Sequence, residues 1–85
     1  GAQATIDCRL EGKARKSDIE ELTGVTGVRQ TNERYIIYTS SMQPTLIALL
    51  SYAEALSIPL TDLQVHTPTL EDVFLEMTGR QLRAE

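Results

Sequence analysis

The sequence predicts an α+β fold: a four-stranded antiparallel sheet with two helices on one face, followed by a C-terminal helix. Three observations carry this prediction. From Ala4 to Glu11, apolar and polar side chains alternate with a period of two, the mark of a half-buried strand. Between Pro44 and Pro59, leucines recur at helical spacing. Helical and strand patterns then alternate along the chain in an order that lets both helices pack on one sheet.

In the first strand, Ala4, Ile6, Cys8 and Leu10 fall on one face and Thr5, Asp7, Arg9 and Glu11 on the other. Gly12 and the segment from Lys13 to Lys16 make a short basic connection. Ser17-Asp18-Ile19-Glu20 has capping-box spacing, so Ser17 is expected to cap a small helix with Ile19 and Leu22 on its apolar side and Gly24 at its end. Val25 to Thr31 reads as a second strand, with a bulge or bend at Gly27. Thr31 to Arg34 makes a turn. Tyr35-Ile36-Ile37-Tyr38-Thr39 is β-branched and aromatic throughout and apolar on both faces, which suits a central strand.

The longest helix follows. Ser41 or Gln43 caps it, Pro44 is tolerated in its first turn, and Leu46, Leu49, Leu50, Ala53 and Leu56 form its stripe, with Ile47 and Tyr52 on the flanks. Pro59 ends it. Leu60 to His66 is the last strand, with Leu63 and Val65 expected inward and Asp62, Gln64 and His66 outward. The resulting β-α-β-β-α-β order is the ferredoxin-like arrangement.

Both ends of the closing helix are marked. Thr69 is placed as N-cap with Asp72 at the third helical position, Pro68 keeps the preceding chain extended, and Glu71 and Asp72 complement the helix dipole. Leu70, Val73, Phe74 and Met77 recur at i, i+3, i+4 and i+7, and Gly79 can end the helix in a left-handed cap. Leu75 points roughly 150° away from the centre of that stripe. Three readings of Leu75 stand: a lone exposed leucine, a second contact within the domain, or a contact with another chain or domain.

The run Pro68-Thr-Leu-Glu-Asp-Val-Phe-Leu-Glu-Met-Thr-Gly-Arg80 resembles the signature that closes many bacterial ABC transporter ATP-binding subunits, those of ABC-2 type exporters of the daunorubicin-resistance kind. A similar Leu-Glu-Asp-Val-Phe-Leu pattern follows the nucleotide-binding domains of eukaryotic A-subfamily transporters. Upstream of Pro68 the similarity is one of element order and length. The resemblance implies a non-catalytic C-terminal accessory or regulatory domain, which assembles subunits or couples the ATPase to the membrane permease in export. Its implied partners are the ATPase domain of the same subunit, a second copy in a homodimer, and the ABC-2 transmembrane permease. It also implies a cytoplasmic position, peripheral at the inner face of the cell membrane, with no direct membrane insertion. ATP and Mg would belong to the parent subunit's ATPase domain, and this chain itself would carry no cofactor. Leu70, Val73, Phe74 and Met77 would dock the closing helix on the domain body, while Leu75, Glu71, Asp72 and Glu76 are the candidates to face a partner.

A chain of 85 residues supports one small domain. It is expected to run from 3 to 85: a ferredoxin-like body at 3–66, the closing motif at 67–80 and a tail at 81–85. Gly1-Ala2 reads as a cloning scar.

Composition narrows the chemistry. A formal charge of -4 opposes nonspecific binding to nucleic acid or anionic lipid, and no apolar run reaches membrane-spanning length. The single cysteine, Cys8, excludes an internal disulfide and a cysteine-rich metal site, and reads as a buried reduced thiol. His66 has no second metal ligand at any usual spacing. There is no Gly-x-x-x-x-Gly-Lys-Ser/Thr loop and no nucleophile with a recognisable base, so no enzyme activity is expected of this chain. Tyr35 and Tyr38 lie three apart and face opposite sides of their strand, unlike the paired aromatics of an RNA-recognition domain.

The alternative function is a small-molecule effector domain of the amino-acid-sensing kind, with Gly24 and Gly27 as its weak glycine signal. An acylphosphatase-like hydrolase would use Arg15, but the Gly-rich context is missing. Asp7, Arg9, Asp62, Gln64 and His66 are expected to share one sheet face. That face is either a ligand or pH-sensitive site, or a solvated surface of cross-strand charge pairs.

Overall fold

In the computed structural model, which describes residues 3–69, the elements run β1 (Ala4–Leu10), α1 (Lys16–Glu20), β2 (Val25–Thr31), β3 (Arg34–Thr39), α2 (Met42–Ala55) and β4 (Leu60–His66). The strands lie in the order β2-β3-β1-β4, with every neighbouring pair antiparallel. This is the ferredoxin-like order, with the β-branched β3 and the alternating β1 in the centre and β2 and β4 at the edges. The expected bulge at Gly27 is present, as a register shift between Val25 and Gly27. A two-residue loop, Asn32-Glu33, joins β2 to β3, and Asn32 supplies the positive φ of 57° that tight hairpins need. Residues 1–2, the closing helix from Leu70 onward and the tail at 81–85 lie outside the described residues.

Sheet and helices meet over one apolar layer. Ile6, Cys8 and Leu10 of β1 and Tyr35 and Ile37 of β3 point into it, and Ile19, Leu49, Ala53 and Ile58 close it from above. The helices are lashed together at one side by Tyr52, whose hydroxyl accepts the Arg15 N–H at 3.1 Å and donates to Asp18 Oδ2 at 2.8 Å. Cys8 is fully buried, as its alternation with apolar neighbours requires.

A chain of buried hydroxyls anchors α2. Ser41 N–H donates to Thr39 Oγ1 at 2.8 Å, and Thr45 Oγ1 donates to the Thr23 carbonyl at 2.6 Å. Thr45 has then spent its proton, so the 2.6 Å contact between the two threonines is donated by Thr39. Both side chains are thus satisfied although neither reaches water. Gly24 sits directly beside this knot with φ +82°, and a Cβ there would lie 2.5 Å from Thr45 Oγ1. The other end of α2 closes in a Schellman motif. Ile58 N–H reaches the Ala53 carbonyl at 2.8 Å and Ser57 N–H the Glu54 carbonyl at 3.1 Å, with Ser57 left-handed at φ 54°. Ile58 is buried as the apolar partner of that motif, and Pro59 follows it.

Three expectations are corrected. Ser17 does not cap α1: the helix starts at Lys16 with Arg15 as N-cap, and no side chain caps it. Ser17 falls inside the helix because the chain is drawn in two residues earlier, where Arg15 N–H meets Tyr52. Second, α2 buries Thr45, Leu49 and Ala53, and Leu50 is left exposed. The hydroxyl knot claims Thr45 for the interior, and this rotates the helix so that Leu50 leaves the buried face. Third, Leu63 and Val65 of β4 are not covered: they remain 42% and 50% exposed.

Two stability measurements check this packing. Gly12 has φ +81° and open space around it, so Gly12→Ala is expected to cost about 1 kcal/mol in urea unfolding. Gly24→Ala carries the same backbone cost plus about 1–3 kcal/mol for driving Thr45 out of place. Equal losses at the two positions would contradict the knot.

The second measurement is stability against pH. Burial first, and then the neighbouring Asp7 carboxylate, push the Cys8 thiol up from 9.0 to about 11. Burial also raises the Tyr35 and Tyr52 hydroxyls above their ordinary value. Above pH 9 the unfolded chain releases protons that the folded chain keeps, so stability falls as pH rises toward 11. Cys8→Ala should remove about 2 kcal/mol of that decline.

Candidate functional site

The sheet's second face is open, and the strand register composes it row by row. Thr31, Arg34, Arg9 and Thr61 lie across one row. Arg29, Ile36, Asp7 and Gln64 make the next, and Gly27, Tyr38, Thr5 and His66 the third. Asp7, Arg9, Gln64 and His66 therefore do share one face, as the alternation predicts. Asp62 joins them by a different route. It occupies a bulge opposite Cys8, between the Asp7 and Arg9 pairings, with φ 53°. Aspartate is among the residues that tolerate this left-handed conformation, and here it turns the carboxylate toward the arginine row.

Two arginines sit directly opposite each other in the first row, an arrangement that is repulsive unless neutralised. Each is held by two carboxylates. Arg34 places Nη2 3.2 Å from Asp7 Oδ1 and Nη1 3.5 Å from Asp62 Oδ2. Arg9 donates from Nη2 to Glu33 Oε1 at 3.1 Å and sets Nε 3.4 Å from Glu11 Oε2. Asp7 Oδ1 is buried and lacks hydrogen-bond geometry, so its contact with Arg34 is an ion pair without a directed bond. Four carboxylates around two guanidiniums leave the first row with excess negative charge and take up both of its arginine forks, while Arg29 stands exposed in the next row. Of the two readings of this face, the geometry favours the solvated surface of cross-strand charge pairs.

Arg34 and Glu33 were not among the expected members of this face; the alternation of the first strand places Glu11 on it, but not as a partner of Arg9. The signal for Arg34 lies in its neighbour: once Tyr35 points into the core, Arg34 must point out, opposite Arg9. Reading Arg34 as a turn residue hid that step.

The remaining sequence candidates fall elsewhere. Arg15 has its Nε 3.6 Å from Asp18 Oδ2 and lines a shallow pocket with Gly12, Lys13, Ala14, Asp18 and Leu56. Tyr35 is buried on the helix side, with its hydroxyl donating to the Ala14 carbonyl at 3.4 Å, while Tyr38 is half-buried on the open face. The two tyrosines do not form a stacking pair. Among the described residues no group of three or more His, Cys, Asp or Glu side chains is arranged to hold a metal, and no helix is long and apolar enough to cross a membrane. Motif residues Leu70, Val73, Phe74 and Met77, with Leu75, Glu71, Asp72 and Glu76, lie outside the described residues.

A second surface stands apart from the charged one. Ile47 and Leu50 on α2 and Leu63 and Val65 on β4 are the large apolar side chains left exposed among the described residues. Leu50 also lines a shallow groove with Ala53, Ile58, Pro59 and Leu60, where the end of α2 meets the start of β4. Comparison with protein-family models, curated proteins and solved structures finds no match to this chain.

The ion-pair geometry has a direct check. A double-mutant cycle of Asp7→Asn and Arg34→Met is expected to give a coupling of about 0.2–1 kcal/mol, because both groups are partly solvated. The coupling should shrink in 1 M salt. A salt-independent value would mean that packing, and not charge, couples the two positions.

Proposed function

We propose that this chain is a non-catalytic accessory domain of an ABC-2 type exporter's ATP-binding subunit, working in subunit assembly or in coupling the ATPase to the permease. The observation that carries the reading is the Pro68–Arg80 signature placed directly behind a ferredoxin-like body. The chemistry of the body is compatible with it. Its open face carries cross-strand ion pairs, and Ile47, Leu50, Leu63 and Val65 leave exposed apolar surface on the other side. On this reading ATP and Mg act in a separate ATPase domain, and this domain works in the cytoplasm against the inner membrane face through the transporter complex. Leu75, Glu71, Asp72 and Glu76 are the residues assigned to partner contact.

The test is made on the full-length subunit that carries this domain. Removing residues 3–85 is expected to leave MgATP binding intact and to abolish recovery of subunit dimers or co-purification with the permease. A shortened subunit that assembles and supports export at the intact rate overturns the proposal. So does a parent reading frame with no phosphate-binding loop.

A further inference from the structure

Four strands are wider than the two helices that cover them. α1 packs against β2, and α2 packs over β1. Tyr52 fixes which flank of α2 looks toward α1, since its hydroxyl bonds Arg15 and Asp18. Leu50 lies two residues back, roughly 160° around the helix from Tyr52, so it projects from the flank away from α1. That flank is the one beside β4. The groove shared by Leu50, Ile58, Pro59 and Leu60 confirms the side. On the strand, Val65 pairs with the buried Ile6, and alternation puts Leu63 on the same helix-side face. Ile47, Leu50, Leu63 and Val65 thus outline an uncovered strip above β4, each 42% to 58% exposed.

From this we infer that the strip is the docking site of the chain's own closing segment, Leu70 to Met77, which lies as a third helix over β4. Three features favour this occupant over a second copy or another protein. β4 ends at His66, and only Thr67, Pro68 and Thr69 separate it from Leu70, the usual length of a strand-to-helix connection. Such a short tether holds the segment at an effective concentration on the order of millimolar, far above that of any free partner. The fit in size and pattern is the third feature. A helix of ten residues is about 15 Å long against about 23 Å for seven strand residues. Its stripe of Leu70, Val73, Phe74 and Met77 forms one continuous apolar face, as an apolar strip requires of its cover. Docked in this way, the helix turns Leu75, Asp72 and Glu76 outward. The inference does not depend on the transporter reading, because it follows from the sheet, the tether and the apolar pattern alone.

Hydrogen exchange on the intact 85-residue chain tests it, with a synthetic peptide of residues 67–85 as reference. Amides from Val73 to Met77 should exchange at least ~10-fold more slowly in the chain than in the peptide. Leu50→Asp and Val65→Asp should each return them to the peptide rate while β1 and β3 amides stay protected. Leu75→Asp, on the opposite side of the helix, should leave the protection in place. Exchange at the peptide rate in the wild-type chain overturns the proposal. So does protection that survives both strip substitutions, which would place the helix elsewhere. Protection that disappears on dilution would overturn it too, as the mark of docking onto a second copy. Should either aspartate unfold the body, nuclear Overhauser contacts in the wild-type chain decide. Contacts between the Phe74 ring and Leu50 or Val65 methyls support the site, and their absence rejects it.

Discussion

The hydroxyl chain from Ser41 N–H through Thr39 and Thr45 to the Thr23 carbonyl fixes how the helical layer sits on the sheet. It joins the loop after α1, the end of β3 and the first turn of α2 in one buried cluster. A polar cluster in a small core is tolerable only because each donor has an acceptor, and its directionality leaves one rotational setting for α2. That setting puts Thr45, Leu49 and Ala53 over the sheet and swings Leu50 out. Gly24 is required by the same cluster, since no side chain fits between its backbone and Thr45. The anchoring of α2 thus adds Leu50 to the apolar surface that β4 leaves uncovered.

The two faces of the sheet carry different kinds of interaction. On the helix side, stability comes from apolar burial around Ile6, Leu10, Tyr35 and Ile37. The open side is held by charge: Arg9 and Arg34, forced together by the register, each recruit two carboxylates. Such half-exposed pairs contribute little to stability, and they keep this face hydrated. The uncovered apolar strip on the other side is the better place for a protein contact, whether with the chain's own closing segment or through it.

Much of the body is legible in the sequence, because β2 and β4 have the observed boundaries, β1 is read one residue too long, and the central position of β3 follows from its apolar run. What escaped reading was set by contacts distant in sequence. Ser17 looks like a cap, but Tyr52, far along the chain, draws Arg15 into that role. Leu50 fits a leucine stripe, but Thr45 competes for the interior with a hydrogen bond that composition cannot reveal. Asp62 sits at a bulge and meets Arg34 across β1, a contact that alternation along β4 alone does not show. Local pattern gives the period of each element; the rotation of α2 and the partners of each charge come from tertiary packing.

The central claim is that the closing segment completes the domain by burying its apolar stripe on the body. Urea unfolding of the intact chain, set beside a chain ending at Thr69, measures this most directly. The account predicts one cooperative transition in each, with a larger m-value and at least about 1 kcal/mol more stability for the intact chain. Identical m-values and midpoints would show that residues 70–85 bury no surface on the body, and would contradict the claim.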